Sequence, residues 1–135
     1  MPAYAVLMAY DFAGTSAIVD IGGGQGNLLE KILQFTPAIT GTVIDTASTI
    51  EKAKQVFGND AWSRRCSYVI GDFFTSVPQR ADAYLLCGVI RDWDDRRAIR
   101  ILKNCRRARQ RREECYLLTW LYQTRTRRPP VGWQI

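Results

Sequence analysis

The segment Ser16-Ala17-Ile18-Val19-Asp20-Ile21-Gly22-Gly23-Gly24-Gln25-Gly26 determines the predicted fold. Its first six residues are rich in apolar and β-branched side chains, which predicts a buried strand over 16–21 that ends at the glycine cluster. Over 27–34, leucines and isoleucine recur at spacings of one, three and four, which predicts an amphipathic helix that Pro37 terminates. A strand, a glycine loop and a helix in this order are typical of a parallel α/β sheet.

The same alternation continues along the chain. Further strands are predicted over 40–44, 66–70, 83–90 and 115–122, and further helices over 47–57 and from Asp94 to Ala108. Because the strands are almost continuously apolar, both faces of the sheet should be covered. We therefore predict an α/β fold with a mostly parallel sheet of about five strands and helices on both of its faces.

Composition and cysteine usage exclude several classes of protein. The 135 residues are 47% apolar and 24% charged, which suits one domain with a single core. No apolar run approaches the ~20 residues of a membrane span, and the opening stretch has no basic leader of a signal peptide. Four cysteines without a CxxC pair, and no histidine, argue against zinc. We expect free thiols, a cytoplasmic location, and neither a metal nor a membrane partner.

The positive charge is concentrated in the last third of the chain. Residues 1–95 carry 7 basic and 11 acidic groups, whereas residues 96–135 carry 12 basic and 2 acidic groups. Such a block is typical of a solvated helix face followed by a tail, or of a surface that binds nucleic acid. We favour the solvated face, so nucleic acid is not an expected partner.

The glycine loop is the strongest indication of a ligand site. Glycines such as Gly22 and Gly24 permit positive φ and let a ligand approach the backbone. The spacing D-x-G-x-G-x-G, which begins at Asp20, differs from the G-x-G-x-x-G of dinucleotide enzymes, and no P-loop lysine follows. An acid before such a tight loop suits a ligand with a cationic amino-acid part and no pyrophosphate. The alternative is a turn that only packs the helix against the strand.

Two further acidic residues follow the next two strands. Asp45 is placed to accept the hydroxyls of a ribose, although an aspartate there also suits a helix cap. Asp72 is placed to accept from an adenine amino group while Phe73 covers the ring. The alternative for this segment is a helix cap at Asp72 followed by two core phenylalanines, Phe73 and Phe74. Taken together, the three strand ends predict an adenosine site.

The chain resembles the class I S-adenosylmethionine-dependent O-methyltransferases over residues 9–108. The resemblance is carried by the segments VDIGGGQGNLL, GTVID, RRCSYVIGDFFTSVP, ADAYLL, VIRDWDD and ILKNCRRA. It is similar in particular to the branch of plant caffeate-type and bacterial antibiotic-tailoring enzymes. The resemblance implies a Rossmann-like sheet, S-adenosylmethionine as cofactor, and methyl transfer to a hydroxyl of a small aromatic molecule. The implied cofactor-binding residues are Asp20, Gly22, Gly24, Asp45, Asp72, Phe73, Cys87 and Trp93.

Two positions depart from the family pattern. The family usually has a histidine base immediately before Asp-Trp, where this chain has Arg91. An arginine cannot accept a proton at neutral pH, but its charge can lower the pKa of a nearby phenol. Arg91 and the following Asp92 are therefore the candidate catalytic residues. Cys87 stands where a lysine that contacts the cofactor is common.

The resemblance also implies a catalytic domain shortened at both ends. It divides the chain into a remnant of an upstream helical region over 1–12, a cofactor-binding domain over 13–122, and a basic, proline-containing tail over 123–135. Within the domain the family match fades after about residue 108. Two alternatives stay open, namely a cofactor- or partner-binding protein without turnover, and a nucleic-acid-binding protein that uses the arginine-rich C-terminal third. Oligomeric state and substrate identity are left open.

Overall fold

The computed structural model describes residues 6–8, 10–56, 61–109, 116–120 and 131–134. The strands are β1 Ala17–Ile21, β2 Thr40–Asp45, β3 Cys66–Ile70, β4 Ala83–Cys87, β5 Tyr116–Trp120 and β6 Val131–Gln134. The helices are α1 Asn27–Phe35, α2 Ala47–Val56 and α3 Asp95–Ala108, with short 3₁₀ turns at Ser63–Arg65 and Ile90–Asp92. Strands and helices alternate as the sequence predicts.

The strands form one sheet in the order β3-β2-β1-β4-β5-β6. The pairs from β3 to β5 are all parallel, and β6 pairs antiparallel with β5. This topology confirms the predicted α/β class and the mostly parallel sheet. The strand order reverses between β1 and β4, and open α/β sheets bind ligands at the carboxyl ends of the strands beside such a switch point.

Each face of the sheet has its own apolar core, because successive side chains of a strand point to opposite faces. On one face, Ile18 of β1 packs in a buried cluster with Leu29 of α1 and Ile50 of α2. On the other face, Val19 of β1 packs in a second cluster with Ile101 of α3. Helices therefore cover both faces, as predicted.

The end of the fourth strand and the number of strands differ from the sequence prediction. The fourth strand was expected over 83–90 but ends at Cys87, because Gly88 takes a φ of +76° and the chain turns into the 3₁₀ segment. β6 is an additional strand, which the sequence analysis did not identify because it comprises only four residues after two prolines. Several stretches named in the sequence prediction lie outside the described residues. They are residues 57–60 after α2, the expected ends of the fifth strand at 115 and 121–122, and residues 123–130 and 135 of the tail.

The side chain of Arg65 connects the end of α1 to the residue before β2 by hydrogen bonds. Its guanidinium donates hydrogen bonds to three backbone carbonyls, those of Leu33, Thr36 and Ile39. The carbonyls at the end of a helix have no partner within the helix, so a side chain that satisfies them stabilises the helix end. In the part of the chain that the structure describes, no helix is long and apolar enough to cross a membrane.

Candidate functional site

Residues from four neighbouring strands meet at one edge of the sheet. The glycine loop 22–26 follows β1, Asp45 ends β2, Asp72 comes two residues after β3, and Cys87 ends β4. These four strands are parallel, so their carboxyl ends lie at the same edge. The structure therefore brings together the strand ends that the sequence analysis selected.

The glycine loop is bound directly to the end of β2. The N–H of Gly24 donates to Asp45 Oδ2 at 2.9 Å, and the N–H of Gly22 donates to the carbonyl of Ile44 at 2.9 Å. Gly24 has a φ of +62°, and a Cβ at this position would meet no atom within 4 Å, so the residue borders open space. Asp45 also accepts from the N–H of Thr46 at 2.7 Å through its other oxygen. The loop thus presents a bare backbone surface beside a carboxylate.

Asp20 lies buried beneath this loop. It is only 2% exposed, and a Cβ on Gly23 would come within 2.6 Å of Asp20 Oδ2. Burial, and to a smaller extent the negative charge of Asp45, raise the pKa of the Asp20 carboxyl to about 7. A buried carboxylate is unfavourable unless it is paired, so the position favours a ligand that brings a positive charge.

The thiol of Cys87 lies close enough to Asp20 for the charge of the carboxylate to affect ionisation of the thiol. Burial, and to a smaller extent the negative charge of Asp20, raise the pKa of the Cys87 thiol to about 12. The thiol is therefore protonated at neutral pH and is not a nucleophile. At this position the end of β4 contributes a neutral, weakly polar surface.

Phe73 borders the glycine loop, whereas the Asp72 carboxylate turns back onto its own segment. The Cε1 atom of Phe73 lies 3.8 Å from the position that a Cβ on Gly22 would take. Asp72 is exposed and accepts hydrogen bonds from the N–H of Phe74 at 2.9 Å and from the hydroxyl of Thr75 at 3.2 Å. The Asp72 carboxylate thus stabilises a turn and not a helix N-terminus, and it has further acceptor capacity.

Trp93 joins the aromatic side chains that follow β3. Its ring centroid lies 6.4 Å from that of Phe73 and 4.8 Å from that of Phe74, with the second pair perpendicular. Sequence analysis missed Asn104, whose side-chain amide donates to the carbonyl of Phe73 at 2.9 Å. The sequence did contain an indication of this role, because Asn104 is a polar residue on the apolar face of α3, three positions after Ile101.

The candidate catalytic segment follows β4 at the same edge. Arg91 and Asp92 lie in the 3₁₀ turn, Asp92 is exposed, and the side chain of Arg91 lies outside the described part. Val89, which the sequence analysis did not select, connects this segment to the loop, because its Cγ2 lies 2.8 Å from the Cβ position at Gly22. The described residues include no group of histidine, cysteine, aspartate or glutamate side chains that could hold a metal ion.

An open, mostly parallel α/β sheet with a glycine loop at its switch point defines a Rossmann-like domain. Comparison with known proteins identifies the family within that class. The O-methyltransferase domain family matches residues 1–131, and the chain belongs to this family. The resemblance predicted from the sequence motifs is confirmed.

Two of the similar proteins are O-methyltransferases of bacteria. The chain is 42% identical over 106 residues to the phenazine O-methyltransferase of Lysobacter antibioticus, a match that covers 78% of this chain and 31% of the relative. It is 40% identical over 98 residues to the mitomycin biosynthesis 6-O-methyltransferase of Streptomyces lavendulae, covering 73% of this chain and 28% of the relative. The chain therefore spans less than a third of the length of these curated relatives.

A solved structure shares the fold. It is an O-methyltransferase from neocarzinostatin biosynthesis in complex with S-adenosyl-L-homocysteine and 1,4-dihydroxy-2-naphthoic acid. The TM-score is 0.74 at 32% identity, and the match covers 86% of this chain and 39% of that chain. The comparison supports the parallel sheet and helices described above.

Proposed function

We propose that this chain forms the S-adenosylmethionine-binding part of an O-methyltransferase that methylates a hydroxyl group of a small aromatic molecule. The observation that carries the proposal is the buried carboxyl of Asp20, which has a raised pKa beneath an open glycine loop. Family membership supports the reaction class, and the solved relative with S-adenosyl-L-homocysteine and a dihydroxynaphthoic acid supports the ligand classes.

The residues at the strand ends fit this cofactor. The carboxyl of Asp20 would receive the ammonium of its amino-acid part, and the Asp45 carboxylate retains acceptor capacity for ribose hydroxyls beyond the two N–H groups that it binds. Phe73 offers an aromatic face beside the loop for the adenine. The residues that we assign to cofactor binding are Asp20, Gly22, Gly24, Asp45, Asp72, Phe73, Cys87 and Trp93.

The chemistry is divided between the cofactor and the chain. When bound, S-adenosylmethionine supplies a methyl group made electrophilic by its sulfonium sulfur. The chain holds the hydroxyl substrate beside Arg91 and Asp92, and the positive charge of Arg91 lowers the pKa of a phenol there. Because Arg91 cannot act as a base, catalysis depends mainly on orientation, an effect that is large when reacting atoms are well aligned.

A second candidate function is cofactor binding without turnover. The observation that favours it is the complete lack of histidine, which removes the residue type most often used as a base near neutral pH. For both functions we propose residues 13–122 as the cofactor-binding domain. We also propose a cytoplasmic location, which is supported by the thiols of Cys66 and Cys87, neither of which forms a disulfide with a described residue.

The first test is calorimetric titration of the full chain with S-adenosylhomocysteine, comparing Gly24→Ala with Gly14→Ala. Both glycines have positive φ, +62° and +79°, and a Cβ at either meets nothing within 4 Å. Each substitution should therefore cost a similar strain of about 1–2 kcal/mol. Only Gly24 lies in the proposed site, so we expect a loss of affinity of at least about tenfold for Gly24→Ala and almost none for Gly14→Ala. Equal losses, or no binding by the folded wild type, would contradict the proposal.

The second test separates the two candidate functions. The wild-type chain is incubated with methyl-labelled S-adenosylmethionine and an acidic phenol such as a dihydroxynaphthoic acid, and label in the product is counted. Transfer supports the methyltransferase. Binding of S-adenosylhomocysteine without transfer to any phenol tested supports the binding protein instead.

A further inference from the structure

A groove lies along α3 on the surface of the protein. One wall is α3, and the other is the turn that includes Asp72 and Thr75. Five exposed basic side chains line it: Arg97, which lies over the Trp93 ring at 5.6 Å, and four others, namely Arg96, Arg100, Lys103 and Arg107. The latter four are spaced by four, three and four residues, so they form a straight basic stripe along about 16 Å of the helix. We call these four residues the basic stripe.

The basic stripe is not neutralised within the described part of the protein. None of its four side chains takes part in an ion pair with a described carboxylate. Like charges one turn apart on a helix lower its stability by about 0.2–0.5 kcal/mol per pair. Arg96 with Arg100, and Lys103 with Arg107, are two such pairs. An anionic partner would therefore relieve a repulsion that the isolated chain retains.

The surroundings of the stripe determine which anionic partner fits. Ile99, which is 50% exposed, adjoins the stripe and offers apolar surface. Single-stranded nucleic acid prefers exposed aromatic faces for its bases, but the ring of Phe74 in this groove already packs perpendicular to Trp93 at 4.8 Å. These features favour a partner with both acidic and apolar side chains.

We propose that the groove binds an acidic amphipathic helix of a partner protein. Carboxylates at spacings of four, three and four residues on such a helix would match the basic stripe, and an apolar residue beside them would pack on Ile99. Helix-in-groove recognition combines an apolar anchor with charges that set orientation and speed of association. This inference does not depend on the proposed methyltransferase function.

The test measures binding of a designed acidic peptide to the full 135-residue chain. The probe is a fluorescently labelled helical peptide of about 16 residues, roughly 24 Å long, with glutamates at the matching spacing and leucines beside them. Arg100→Glu with Lys103→Glu reverses the centre of the stripe. Lys52→Glu with Lys54→Glu makes the same change of net charge at two exposed positions of α2 and serves as the matched control.

We expect fluorescence anisotropy to show at least about tenfold weaker peptide binding for Arg100→Glu with Lys103→Glu (the α3 variant) and little change for Lys52→Glu with Lys54→Glu (the α2 variant). Peptide binding by the wild type should weaken at higher salt. The α3 variant should fold with an unchanged or higher melting temperature, because each new carboxylate faces a remaining arginine one turn away. If it does not fold, Arg100→Gln with Lys103→Gln replaces it, with an expected loss of about threefold. Equal loss in both variants, no peptide binding, or tighter binding of single-stranded DNA to the same stripe would overturn the proposal.

Discussion

Replacing Asp20 by asparagine tests whether the ionised form of this buried carboxyl destabilises the folded chain. In the folded chain the pKa of this buried group is about 7, against an ordinary value of 3.8. The folded form therefore keeps a proton that the unfolded chain releases near pH 4. The contribution of this group to stability is full below about pH 4, falls as the pH rises, and is lost above about pH 7.

The magnitude follows from the two pKa values. The rise from 3.8 to about 7 corresponds to about 4 kcal/mol of unfolding free energy lost between pH 4 and pH 8. The amide of Asp20→Asn does not titrate, so the variant lacks this loss. Relative to the wild type, its unfolding free energy should therefore increase by about 4 kcal/mol over this pH range. An amide without hydrogen-bond partners adds an offset of about 1–3 kcal/mol that does not change with pH.

Urea denaturation followed by tryptophan fluorescence, at several pH values from about 4 to 8, measures this difference. Asp95→Asn is the control, because it removes an exposed carboxyl in the first turn of α3. Its pH dependence should stay close to that of the wild type. Parallel stability curves for wild type and Asp20→Asn would refute the raised pKa. Unchanged affinity of the folded variant for S-adenosylhomocysteine would refute the role of Asp20 in binding an ammonium group.

Three further predictions concern other parts of the chain. Arg65→Ala removes hydrogen bonds to three carbonyls, so it should lower the unfolding free energy measured by urea denaturation by about 3 kcal/mol. Arg65→Lys should recover only part of this loss. Unchanged stability of Arg65→Ala would contradict the capping role. Gly23→Ala places a Cβ 2.6 Å from Asp20 Oδ2, so we expect a markedly lower melting temperature, and an unchanged one would show that the loop relaxes freely. Arg91→His supplies a base with a pKa near 6.5, and we expect about 100-fold faster transfer to a phenol in a methyl-label assay. No increase in a folded variant that binds S-adenosylhomocysteine would contradict the placement of Arg91 beside the substrate.

Local patterns in the sequence were sufficient to predict the fold class and most of its elements. The apolar run before Gly22 and the helical spacing after Gly26 are properties of consecutive residues, so β1 and α1 lie almost where they were predicted. Because the carboxyl ends of parallel strands share an edge, the predicted strands also selected Asp45 and Phe73 for the candidate site. The family resemblance depended on the same local motifs.

The tertiary structure alone decided how these residues meet. Gly24 binds Asp45 across 21 positions of sequence, and Asn104 binds the carbonyl of Phe73 across 31 positions. The raised pKa of Asp20 likewise depends on the loop and strands that bury it. Such contacts depend on which strands pair and which helix covers them, and short-range propensity carries no information about that pairing. β6 shows the same limit, because its four residues form a strand by pairing with β5.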